Sequence, residues 1–213
     1  MTKHTILFLA ANPLGTDRLA LDQEARAIQV ELERSGHRDR FVLETRWAAQ
    51  PLDLLRELRK LKPTVVHFSG HGGLGAPRAD RLDGEPVPGL FFQGPDGEPQ
   101  LVSTAALQAT FGAAGASVKL VVLNACYSEA QAEALLAHVD CVVGMVGAIG
   151  DDAARNFAIG FYGGLGERES VASAYRQGRA AISLEGLPDG ETPHLRVRDG
   201  VDADRVILAA HPR

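Results

Sequence analysis

Two cysteines in 213 residues cannot form a disulfide framework, so both are read as thiols of a reducing compartment, the cytoplasm by default. Excess positive charge is missing as well. Twenty-two Lys and Arg stand against 27 Asp and Glu, and the basic residues are scattered along the chain. A net charge of -5 gives no electrostatic footprint for nucleic acid or an anionic membrane surface, so neither is an expected partner. No apolar stretch approaches membrane-spanning length. The first, from Thr5 to Ala11, has seven residues and lacks the basic flank and cleavage site of a signal peptide. There is no internal repeat and no low-complexity tail.

What the chain does have is a 45% share of apolar residues, enough for one substantial core, and residues 1–213 are read as a single domain. Short β-rich runs alternate with amphipathic helical patterns, which predicts an α/β fold with a parallel sheet. Strands are expected over Thr5 to Ala10, Phe41 to Trp47, Thr64 to Ser69, Lys119 to Leu123 and Asp140 to Val146. Several are apolar throughout, as suits strands covered on both faces. A last short strand is expected over Val206 to Ala209.

Leu21, Ala25, Ile28 and Leu32 recur at helical spacing, with Thr16 or Asp17 as N-cap and Gly36 as the stop. Pro51 to Leu61 repeats the pattern, and Pro63 forces the chain into the next strand. Further helices are predicted over Ser103 to Phe111, Ser128 to His138, Asp152 to Leu165 and Ser170 to Leu184. Gly72 to Pro88 is broken by glycine and proline and reads as a mobile surface loop. Leu90 to Phe92 and Gln100 to Val102, flanking a Gly-Pro-Asp-Gly turn, read as a small hairpin, so that loop and hairpin together occupy 72–102.

In open α/β sheets ligands bind beyond the carboxyl ends of the strands. There the sequence places His71, in a glycine-rich loop after Val65 to Ser69, and Cys126, after Leu120 to Leu123. A thiol and an imidazole can thus share one crevice. Cysteine attacks as thiolate, and a free thiol of pKa about 8.5 needs help at neutral pH. Ser128-Glu129-Ala130-Gln131 has the form of a capping box, which would begin a helix just after Cys126 and direct its positive end at the sulfur. His71 can take the thiol proton and return it to the leaving amine.

Val65-Val66-His67-Phe68-Ser69-Gly70-His71-Gly72, followed 55 positions later by Leu123-Asn124-Ala125-Cys126-Tyr127-Ser128, resembles the CHAT-domain branch of the caspase-like cysteine peptidases, relatives of caspases and separases. Val143 to Met145, Ile149 to Ala154 and Phe157 to Tyr162 resemble it too. The resemblance implies a three-layer sandwich with a mostly parallel central sheet flanked by helices. It implies peptide-bond hydrolysis through a thioester, with His71 as base, Cys126 as nucleophile and the amides of Gly72 and Cys126 as oxyanion hole. No metal or cofactor is expected. It also implies control by a sensor domain or partner protein, often in bacterial defence or programmed death. An idle dyad on the same fold, serving as an interaction platform, is the competing reading. The caspase pattern has Gln-Ala-Cys followed by Arg, Gln or Gly and then Gly, and this chain departs from it at Asn124, Tyr127 and Ser128.

Cys141, inside an apolar strand, is read as core. His67 is read as a buried histidine satisfied by hydrogen bonds, since no third metal ligand lies near it. The glycines around His71 make a poor phosphate loop, because such a loop would follow the first strand and open a helix. Asn12 and Asn124, at strand ends, are candidate substrate contacts. Asp151 and Asp152 serve equally as helix caps or as an acidic pocket wall. Without an arginine at these positions, cleavage after aspartate is not expected, and a basic or neutral residue is.

Overall fold

The computed structural model describes residues 3–75 and 87–208. Six strands form the central sheet: β1 (His4–Ala10), β2 (Phe41–Arg46), β3 (Val65–Ser69), β7 (Leu120–Asn124), β8 (Cys141–Met145) and β9 (Pro193–Val197), in the order β2-β1-β3-β7-β8-β9. All neighbours run parallel except β9, which pairs antiparallel with β8. A second sheet of three antiparallel strands, β4 (His71–Gly75), β5 (Val87–Gln93) and β6 (Pro99–Ser103), stands beside it.

Period two decides what each strand contributes to each side. Ile6, Phe8 and Ala10 of β1, with Leu120 and Val122 of β7, face α1 (Leu21–Arg34), α5 (Asp151–Gly166) and α6 (Val171–Leu184). Leu7 and Leu9, with Val121 and Leu123, face α2 (Pro51–Leu61), α3 (Thr104–Ala114) and α4 (Glu129–Leu135). Both faces are apolar because both are covered, and the result is the three-layer α/β sandwich with a mostly parallel sheet that the sequence predicts.

Four details differ from expectation. β9 follows the turn around Pro188, and Val206 is not in a strand: its carbonyl, with that of Ala203, accepts from the first two N–H groups of α6, donors that no helix satisfies internally. Ala209 lies outside the described residues. Gly72 to Gly75 and Val87 to Pro88 form the paired strands β4 and β5 rather than a loop, with Gly72 opposite Leu90; the intervening segment 76–86 lies outside the described residues. Neither Thr16 nor Asp17 caps α1. The helix begins at Leu21, and Thr16 donates its hydroxyl to the Pro13 carbonyl in a turn instead. Ser128 precedes α4 without a side-chain cap, because its hydroxyl is used elsewhere, as described below.

Candidate active site

β3 and β7 are adjacent and parallel, with Ser69 level with Asn124. Each strand therefore delivers its next residues to the same end of the sheet: His71 two positions after Ser69, Cys126 two after Asn124. His71 opens β4 and Cys126 stands in the turn before α4. Both line one small cleft of about 40 Å³, together with Leu19, Ala20, Glu24, Asn124, Ile149 and Asp151. The joint placement expected from the sequence is what the fold produces.

Local chemistry explains the close approach. A Cβ on Gly72 would lie 2.4 Å from the Cys126 carbonyl oxygen and 3.3 Å from the Ala125 Cβ, so only glycine lets β4 run against the turn that carries Cys126. A Cβ on Gly70 would meet the Ala11 carbonyl at 2.7 Å. Tyr127 takes up the sharp reversal after Cys126 at φ 55°, a left-handed conformation costly for a residue with a side chain. Its N–H donates to the Gly147 carbonyl. Ser128, where a caspase has glycine, is buried. Its hydroxyl donates to the Leu123 carbonyl at 3.0 Å and accepts from the Met145 N–H at 3.0 Å. The predicted capping box is absent because that hydroxyl ties β7 to β8. α4 begins three residues after Cys126 and is seven residues long.

His71 Nε2 lies 2.8 Å from the Asp17 carbonyl oxygen. A carbonyl only accepts, so Nε2 carries hydrogen and Nδ1 is the basic nitrogen of the neutral ring. Cys126 is partly buried, with its sulfur 4.0 Å from the Ile149 carbonyl oxygen. Cys141 is wholly buried, and burial followed by the charge of Asp140 pushes its thiol up to about 12, so it is inert at neutral pH.

The remaining predicted residues divide. Asn124 and Asp151 line the cleft; Asn12 and Asp152 are not among its lining residues. Asn12 bonds both ways to the Leu19 backbone, spanning the loop that presents Asp17 to His71. Asp152 pairs with Arg155 at 2.6 Å on the surface. Asp151 is exposed and accepts from the Ala20 N–H at 2.9 Å, tying the start of α5 to the start of α1; Gly150 precedes the helix without a side-chain cap, so capping its own helix is not the role of either aspartate. His67 is buried as expected, stacked on Phe8, with Nδ1 2.9 Å from the Tyr162 hydroxyl.

Glu24 was not anticipated. It interrupts the apolar face of α1 between Leu21 and Ala25, and an acid on a buried helix face is the signal that could have found it. Its carboxylate is buried against His67, Ser69 and Asn124. Burial alone would raise its pKa, but the His67 charge and the hydrogen bonds from His67, Ser69 and Asn124 outweigh that, so the carboxyl is held below its ordinary range. Tyr162 is pushed far up by burial and by the Glu24 charge, and stays a phenol.

The family model of the CHAT domain matches residues 9–192. The chain belongs to the CHAT-domain family. Its fold is that of the caspase-like cysteine proteases. A secreted C11 cysteine protease from Bacteroides thetaiotaomicron, solved with an irreversible peptide inhibitor, aligns at TM-score 0.61 and 14% identity over 86% of this chain. The CHAT domain spans only 59% of that protease. Protein GSU0716 from Geobacter sulfurreducens aligns at TM-score 0.59 and 15% identity, covering 96% of this chain and 97% of its own. No curated protein matches the chain. Among the described residues no helix of the CHAT domain is long and apolar enough to cross a membrane, and no group of three His, Cys, Asp or Glu could hold a metal.

Proposed function

We propose that this CHAT domain is a cysteine endopeptidase acting through His71 and Cys126. The observation that carries the reading is that an orientable imidazole and a partly exposed thiol, 55 residues apart in sequence, line one cleft on neighbouring strand ends. The Asp17 carbonyl holds His71 by Nε2, which leaves Nδ1 to take the thiol proton. The sulfur then attacks the scissile carbonyl carbon. The amides of Gly72 and Cys126 stabilise the resulting oxyanion. Collapse breaks the C–N bond, with the His71 proton leaving on the amine, and water activated by His71 hydrolyses the thioester.

The cleft walls favour a basic or neutral side chain before the scissile bond. Glu24 and Asp151 line the cleft, and among the described residues no Lys or Arg does, so an aspartate there would meet like charge without a guanidinium from these walls. Asp151, which lines the cleft where Asp152 does not, is the carboxylate for this role. A sensor domain or partner protein sets when the site works, in bacterial defence or programmed death, and the free thiols suit a cytoplasmic setting.

A positional library of fluorogenic peptides incubated with the full chain tests the proposal. Cleavage is expected after arginine, lysine or a neutral residue, with Cys126→Ala and His71→Ala each slower by at least about 1,000-fold at unchanged melting temperature. Turnover that survives Cys126→Ala, or a strict preference for aspartate, would contradict it. Loss of basic preference in Asp151→Asn would assign the pocket carboxylate.

A further inference from the structure

Glu24 sits on α1, yet every group its carboxylate meets belongs to the two strands that deliver His71 and Cys126. The residue is 4% exposed. Oε2 accepts from the Ser69 hydroxyl at 2.5 Å, and Oε1 accepts from Asn124 Nδ2 at 2.6 Å. His67 Nε2 lies 2.9 Å from the same Oε1. Ser69 and Asn124 are register partners on β3 and β7, and each precedes a member of the dyad by two residues. One buried anion therefore bridges both strand ends at one level.

A carboxylate can only accept, so it dictates how its neighbours point. Ser69 must donate, and Asn124 must present its NH2. The other end of the Asn124 amide, Oδ1, is buried without a hydrogen-bond partner among the described residues, so the bond to Glu24 is what holds that side chain. Charge-assisted hydrogen bonds are also the stiffer kind. Above this clamp the backbone is joined by the Gly70 N–H donating to the Asn124 carbonyl at 3.2 Å, the last such link before the two chains part toward His71 and Cys126.

We infer that Glu24 is a positioning residue for the thiol–imidazole pair, a buried carboxylate that locks the ends of β3 and β7 together so that His71 and Cys126 face each other. It is not a third catalytic residue: His71 is held by the Asp17 carbonyl, and the Cys126 sulfur is near the Ile149 carbonyl. The inference rests on the reading of His71 and Cys126 as a working dyad.

The experiment measures two quantities in the full chain: iodoacetamide alkylation of Cys126 against pH, followed residue by residue by mass spectrometry, and amide exchange at Gly70. Wild type, His71→Ala and Glu24→Gln are compared. Glu24→Gln keeps the volume, removes the charge and sets an NH2 among donors. It is expected to alkylate about tenfold more slowly at pH 7, with the profile moved to higher pH, toward that of His71→Ala. Gly70 should exchange about tenfold faster while β1 amides keep their rates. Loss of a nearby anion without loss of geometry would instead ease thiolate formation and move the profile to lower pH, and a passive role in stability would leave it in place; either result overturns the inference. If wild type and His71→Ala alkylate alike while Gly70 still exchanges faster in Glu24→Gln, the dyad reading fails and the clamp stands. If Gly70 exchange is unchanged, the clamp fails whatever the dyad does. Should Glu24→Gln not fold, Ser69→Ala removes only the bond on the His71 side and is judged by the same criteria, with smaller shifts in the same directions.

Discussion

At the scale of single residues, the two cysteines have opposite chemistry because they occupy opposite kinds of place. Cys126 lies in a turn beyond a strand end, partly exposed, while Cys141 lies inside β8 with no exposed surface. Cys141→Ser would put a hydroxyl into that core with desolvation uncompensated, a cost of about 1–3 kcal/mol. The expected outcome is a lower melting temperature with Cys126 alkylation unchanged. Loss of alkylation in folded Cys141→Ser would show that the assignment of the two thiols is reversed. The same scale explains why His67 and His71, four apart, differ: His67 points from β3 into the core between Phe8 and Tyr162, while His71 stands after the strand has ended.

At the scale of elements, α5 and α6 pack closely because glycine faces backbone where they cross. A Cβ on Gly160 would lie 2.4 Å from the Gln177 carbonyl oxygen and 2.9 Å from the Gly178 Cα. Those atoms are main chain and cannot turn aside. Gly160→Ala should therefore destabilise by about 1–3 kcal/mol, as overpacking does, despite alanine's better helix propensity. Urea denaturation would measure it, and a gain in stability would mean that the helices separate freely. The predicted helix Asp152 to Leu165 emerges within a residue of its real ends, since apolar periodicity survives any packing partner. The expected caps of α1 and α4 did not emerge, because distant groups intervene: Asp151 accepts from the Ala20 N–H across 131 positions, and the Ser128 hydroxyl is taken by Leu123 and Met145. The final strand was misplaced for a similar reason. Val206 looks strand-like by composition, yet its carbonyl is taken by α6.

At the scale of the whole molecule, the sheet divides the apolar residues into two cores, and one buried anion, Glu24, lies at their upper margin. Its folded pKa is below the ordinary 4.5, so the stability it contributes is present above the unfolded value and is lost as pH falls through the lower folded one. Acid titration of stability should accordingly be less steep below about pH 4.5 in Glu24→Gln than in wild type. Equal slopes would mean that the carboxyl titrates alike folded and unfolded.

The amino-acid sequence by itself determined the α/β class, five of the six central strands and that His71 and Cys126 share one cleft, because apolar period and glycine-rich strand ends are local properties of the chain. Tertiary structure alone decided that Glu24 stands beneath them, that Asn12 braces a loop outside the cleft, and that Gly72 runs as a strand against Cys126. Those facts depend on which surfaces α1, β4 and the main sheet present to one another. Such contacts join residues far apart in the chain, 100 positions in the case of Glu24 and Asn124, and no periodicity or spacing along the chain encodes them.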